Sequence, residues 1–104
     1  MANEYNSCKG CNLENESCEY LNLSNYDLSD SNISNSSFLN CDFKNTILKG
    51  ADFTNTIINQ AIIKDSNFID TNLLNMIIVN SIVDSKQCDF FKLQGVILKN
   101  VICK

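Results

Sequence analysis

The chain has 104 residues, is 44% hydrophobic and 19% charged, and carries a formal net charge of −4. That length allows one domain, and a chain with no histidine and no arginine lacks the commonest general base, a favoured zinc ligand and the main phosphate clamp. No apolar stretch is long enough to cross a membrane, and the opening MANEYNSCKG has neither the basic end nor the apolar core of a secretory leader, so a cytoplasmic protein without membrane contact is expected.

Residues 1–5 read as an N-terminal cap segment, and residues 6–104 read as one uninterrupted repeat. Every fifth residue from Cys8 to Cys103 is apolar: Cys8, Leu13, Cys18, Leu23, Leu28, Ile33, Phe38, Phe43, Leu48, Phe53, Ile58, Ile63, Phe68, Leu73, Ile78, Val83, Cys88, Leu93, Leu98 and Cys103. A period of five fits neither the 3.6-residue helix nor the two-residue strand. Two residues before the apolar centres the chain prefers something small, such as Ser31, Ser36, Thr46, Ala51, Thr56 or Ala61. Residues two apart in an extended chain face the same side, so each pentapeptide is a short strand with two inward side chains. Its last residue is rich in Asn, Asp and Gly, as at Asn15, Asp30, Asn35 and Gly50, the residue types that tolerate positive φ. Each pentapeptide therefore ends in a corner.

Four corners close one turn. The residues just before the centres run Ile57, Ile62, Asn67, Asn72, Ile77, Ile82, Gln87, Lys92, Ile97, Ile102, a pattern that recurs every four pentapeptides. The expected fold is all-β, a quadrilateral β-helix of about five 20-residue coils, stabilised by stacking each layer on the next. Phe38, Phe43, Phe53 and Phe68 should fill the middle coils, and the asparagines at 15, 35, 55 and 75 should form amide ladders. The stretch 85–92 is the least regular. A local bulge that swings Lys86 outward, with the phase kept through Leu93, is the expectation there.

The segments CNLEN (11–15), SNISN (31–35), CDFKN (41–45), ADFTN (51–55) and TNLLN (71–75) resemble the pentapeptide repeat family. The resemblance implies a right-handed coil and a non-enzymatic protein that presents a rigid surface. It also implies two kinds of partner: a second copy joined through the C-terminal coil, or a topoisomerase such as DNA gyrase bound by imitation of duplex DNA. A mimic needs dense carboxylate columns. Here only residues 1–43 are acidic, with seven acids against Lys9, and the column Ser24, Lys44, Lys64, Asp84, Lys104 is net basic. Direct nucleic-acid binding is not expected of a chain without arginine or a basic face.

All six cysteines fall at inward positions, which predicts core packing as small hydrophobes rather than disulfides. Cys8 and Cys11 have the spacing of a redox or metal knuckle, with Cys18 as a third ligand, but no second knuckle follows. Asp27, Asp30 and Asn32 lack the glycine and terminal Glu of a calcium loop. Glu16 and Lys86 sit where the repeat wants small residues, yet a filled square tube offers no cleft. No catalytic residue, cofactor or metal is expected.

The candidate surface is apolar. Ile57, Ile77 and Ile97 form one outward column, on a side extended by Leu39 and Val79, and Ile62, Ile82 and Ile102 form another on the adjoining side. Six exposed isoleucines amount to about 300–400 Å², the size of the largest patch on a typical monomer. At the C-terminal end Phe91, Val96 and Val101 stand where smaller residues stood earlier, plugging the last coil or meeting a second copy. Tyr5, Leu21 and Tyr26 are bulky enough to cover the other end. A protein partner is expected, with a homodimer through the C-terminal coil or the isoleucine patch.

Overall fold

A computed structural model of the chain describes residues 6–104; the cap segment at residues 1–5, Tyr5 included, lies outside them. The described chain is a four-sided β-solenoid of about five coils. On the first side β1 (Asn6–Ser7) pairs with β3 (Tyr26–Asp27). The third side carries a five-stranded parallel sheet of β2 (Ser17–Glu19), β4 (Ser37–Leu39), β5 (Ile57–Asn59), β7 (Ile77–Val79) and β9 (Ile97–Lys99). The fourth carries β6 (Ile62–Ile63), β8 (Ile82–Val83) and β10 (Ile102–Cys103). Strand partners are twenty residues apart, as in Ile57↔Ile77↔Ile97, and so are isolated bridges such as Asn12↔Asn32 and Asp52↔Asn72. The twenty-residue coil is confirmed.

The corners follow the same count. Every fifth residue from Gly10 to Asn80 has positive φ, from 53° at Asn80 to 75° at Gly50. At many of them the next N–H closes onto the preceding centre, as from Ala51 to the Leu48 carbonyl at 3.0 Å. This is a type II turn, whose third residue must have φ above zero. What stands before the centre selects the local form. Where it is Asn or Asp, its Oδ1 accepts the N–H two residues on, as Asn32 does from Ser34 and Asp52 from Thr54. Such a side-chain turn competes with extended pairing. The third side has Ser or Ile at that position throughout and is strand in all five coils.

Inward packing is continuous. The centres from Leu28 to Val83 are all buried, and each large side chain so buried stabilises the fold by about 1.5–3 kcal/mol over leaving it exposed. Phe38 meets Phe43 edge-on with ring centroids 5.5 Å apart, and Phe53 meets Phe68 at the same distance. The small positions have a second duty. Thr46 Oγ1 donates to the Leu23 carbonyl at 3.0 Å and Thr56 Oγ1 to the Ile33 carbonyl at 2.8 Å. A hydroxyl there satisfies a carbonyl of the coil below, which an alanine cannot. Asn55 Nδ2 donates to Asn35 Oδ1 and Asn75 Nδ2 to Asn55 Oδ1, both at 3.1 Å, so the expected amide ladder forms over 35, 55 and 75.

The fifth coil departs from expectation. Residues 85–92 are not a bulge: α1 (Ser85–Leu93) replaces two sides of that coil. Asp84 caps it by accepting the Gln87 N–H on Oδ1 at 2.9 Å. Gly95, at φ 82°, ends it in a Schellman motif. The Val96 N–H reaches the Phe91 carbonyl at 3.0 Å, the Gly95 N–H reaches Lys92 at 3.2 Å, and Val96 and Phe91 are both buried. Leu93, expected inward, is therefore 84% exposed, and Phe91 takes its place in the core. Lys86 points outward as expected. Cys103, also expected inward, is exposed.

Candidate interaction surface

The isoleucine columns are in register on the third and fourth sides. Ile57, Ile97 and Ile102 are exposed, whereas Ile62, Ile77 and Ile82 are half-buried between their neighbours in the stack. The two columns do not merge, because the corner residues Gln60, Asn80 and Asn100 stand between them. Asn100 Nδ2 donates to Asn80 Oδ1 at 2.8 Å and Asn80 Nδ2 to Asn59 Oδ1 at 3.3 Å, which makes that corner polar. The larger flat platform is the third side, where Ile57, Ile77, Ile97, Leu39 and Val79 share one sheet face. At the C-terminal end Phe91 and Val96 are buried inside the chain and Val101 is half-buried, so these three plug the last coil. Toward the other end Tyr26 packs half-buried against the core while Leu21 is exposed.

The cysteine expectation is corrected. Cys8 is joined to Cys11 and Cys88 to Cys103; only Cys18 and Cys41 are free thiols. Cys8 and Cys11 flank one corner, where the Cys11 N–H meets the Cys8 carbonyl at 3.0 Å. Two inward side chains straddling a type II turn can thus bond to each other. Cys88 and Cys103 are fifteen apart and would lie on different sides of a regular coil. The helix shortens that path and brings Cys88 to the last strand. Burial pushes the Cys18 thiol above its ordinary pKa, helped by Cys41 and Glu16, and burial also raises Cys41. Both are poor nucleophiles at neutral pH. Among the described residues no cluster of potential ligands could hold a metal ion. Asp27 is held below the usual carboxylate range by the Ser29 hydroxyl and N–H. Its contribution to stability is present above the ordinary carboxylate pKa and is lost as pH falls through the depressed value.

The side walls are not featureless either. Between α1 and the first side lies a groove of about 550 Å³ with Asp65, Phe68, Ile69, Asp84, Lys86 and Phe90 among its lining. Sequence reasoning missed both helix and groove, though a signal was present. The corner positions 85 and 90 hold Ser and Phe rather than Asn, Asp or Gly, between a capping Asp84 and a Gly95.

A family model for pentapeptide repeats matches residues 22–60 and 36–73, with eight copies. The chain belongs to the pentapeptide repeat family. Among solved structures, a pentapeptide repeat protein from the Arabidopsis thaliana thylakoid lumen is 16% identical, with a TM-score of 0.58 over 89% of this chain and 61% of that one. This repeat protein thus spans less than two thirds of that relative's length. Rfr23, a pentapeptide repeat protein of the cyanobacterium Cyanothece 51142, is 18% identical with a TM-score of 0.47 over 94% and 87% of the two chains. QnrB1, a plasmid-mediated fluoroquinolone resistance protein, is 12% identical with a TM-score of 0.38 over 96% and 81%. At these identities the likeness concerns the fold alone. No curated protein sequence matches the chain. Among the described residues no helix is long and apolar enough to cross a membrane.

Proposed function

We propose that this pentapeptide repeat protein is a non-enzymatic interaction module whose working surface is the isoleucine face of the third side. The observation behind this reading is the three-rung apolar platform Ile57–Ile77–Ile97, flanked by Leu39 and Val79 on a rigid parallel sheet. Strand preference alone accounts for β-branched residues at these positions, but not for Leu39. A stable interface buries about 800 Å² per partner, so the isoleucines would form its centre and the polar corners its rim. A second copy is the first partner to test. Mimicry of duplex DNA finds less support, since the fourth-side column contains Lys44, Lys64 and Lys104. The two disulfides favour an oxidising compartment over the reducing cytoplasm that was the expectation.

Light scattering should give twice the 11.7 kDa chain mass at high protein concentration. Changing Ile77→Lys together with Ile97→Lys, both on the third side, should return the mass to that of one chain and leave the β circular dichroism unchanged. A parent protein that is monomeric, or a double variant that behaves like the parent, would count against self-association through this face.

A further inference from the structure

Backbone pairing between coils obeys a fixed grammar. On the first side the Leu48 N–H donates to the Asn67 carbonyl at 2.8 Å and the Gly50 N–H to the Ile69 carbonyl at 2.9 Å. The Asn67 N–H answers with a bond to the Thr46 carbonyl at 3.0 Å. One coil later the equivalent groups are the N–H of Phe68, the N–H of Asp70 and the carbonyl of Ser66. None of the three has a hydrogen-bond partner among the described residues. The cause is α1, which spends its amides on its own helix where the next rung would run. The corner already shows the break. Asp65 N–H, which by the same grammar would reach the Asp84 carbonyl, bonds instead to Asp84 Oδ2 at 2.8 Å, because that carbonyl accepts the Cys88 N–H within the helical turn.

The helix does not close onto this edge. The groove of about 550 Å³ described above lies between them, a size within the range of about 300–1,000 Å³ common for binding clefts. We propose that it takes one extended peptide strand of a protein partner, laid parallel to residues 66–70 as the missing rung. The three groups are aligned as on the other rungs, so one added strand would pair all of them at once. Strand addition to an open sheet edge is an established mode of peptide recognition.

The groove also defines the peptide's chemistry. In the register of the other rungs one side chain points inward, onto the floor of Phe68 and Phe90, and must be apolar. Its neighbours point toward the rim, where Asp65 and Asp84 outnumber Lys86, and Asp70 at the open edge adds a third carboxylate. The occupant is therefore an extended segment with an aliphatic centre and an adjacent basic residue. The chain's own first-side rung, Ile47-Leu48-Lys49, has that character, which makes its sequence a suitable probe. This surface is separate from the isoleucine face, and the proposal does not depend on it.

The test titrates the blocked peptide NTILKGA, the sequence of residues 45–51, into the ¹⁵N-labelled full chain. Amide shifts confined to residues 65–70 and α1 are expected, with slowed hydrogen exchange at Phe68 and Asp70. The same peptide N-methylated at its isoleucine cannot donate to the Ser66 carbonyl and should bind about tenfold more weakly, the loss of one hydrogen bond with its steric penalty. No shifts at millimolar peptide, shifts elsewhere, or equal binding by the methylated peptide would overturn the proposal. Concentration-dependent shifts at Phe68 and Asp70 without peptide would overturn it in favour of a second copy at this edge.

Discussion

Replacing Phe91 by alanine should destabilise the protein by about 3–5 kcal/mol, the usual cost of emptying a buried aromatic site. Phe91 has no solvent exposure, and its ring meets Phe68 edge-on with centroids 5.0 Å apart. It also seats the helix C-terminus, because its carbonyl takes the Val96 N–H. A nine-residue helix is too short to persist alone, so α1 exists because Phe91 and Cys88 hold it on the core. Urea denaturation followed by circular dichroism should register both the lost stability and a lost helical signal. Leu93→Ala is the control. Leu93 lies in the same helix but is 84% exposed, and its change should stay within about 0.5 kcal/mol. Equal effects of the two substitutions would mean that the helix docks through its other face.

Replacing Cys88 and Cys103 by serine should cost about 3 kcal/mol, the chain-entropy value for a cross-link spanning fifteen residues. The bond ties a buried helical position to the last strand, so its loss should loosen β10 and α1 together while the coils before them stay closed. The Cys8–Cys11 bond closes a loop of only three steps and should matter much less on the same model. Thiol titration of the denatured chain provides the check. Two groups, Cys18 and Cys41, should react before reduction and six after it. Six reactive thiols in protein never exposed to reductant would contradict both bridges.

Most of the solenoid was legible because one rule governs it. An apolar centre and a corner residue recur at fixed spacing from residue 6 to 84, and a small partner stands before most of the middle centres. The isoleucine columns were legible for the same reason, since their spacing of twenty is the coil itself. Their partial burial was not, because shielding by neighbouring rungs depends on side-chain lean rather than period. The fifth coil was misread where two periodicities compete. Cys88, Leu93 and Leu98 keep the five-residue beat, while Cys88 and Phe91 are also one helical turn apart. The caps Asp84 and Gly95 decide in favour of the helix, and they are local features that a repeat count passes over. The disulfides were missed as a consequence, since a pairing rule based on twenty residues holds only while the coil is regular.

Scalar couplings across hydrogen bonds test the central claim most directly, because they name donor and acceptor in solution. The stacked coil predicts couplings from the amides of Leu48, Gly50, Phe53 and Asn55 to carbonyls nineteen residues ahead, at Asn67, Ile69, Asn72 and Leu74. It also predicts no such coupling, and fast hydrogen exchange, at Phe68 and Asp70. Couplings at other separations in the first set would contradict the four-sided stack. A nineteen-residue coupling at Phe68 would mean that the ladder continues where the helix is said to interrupt it.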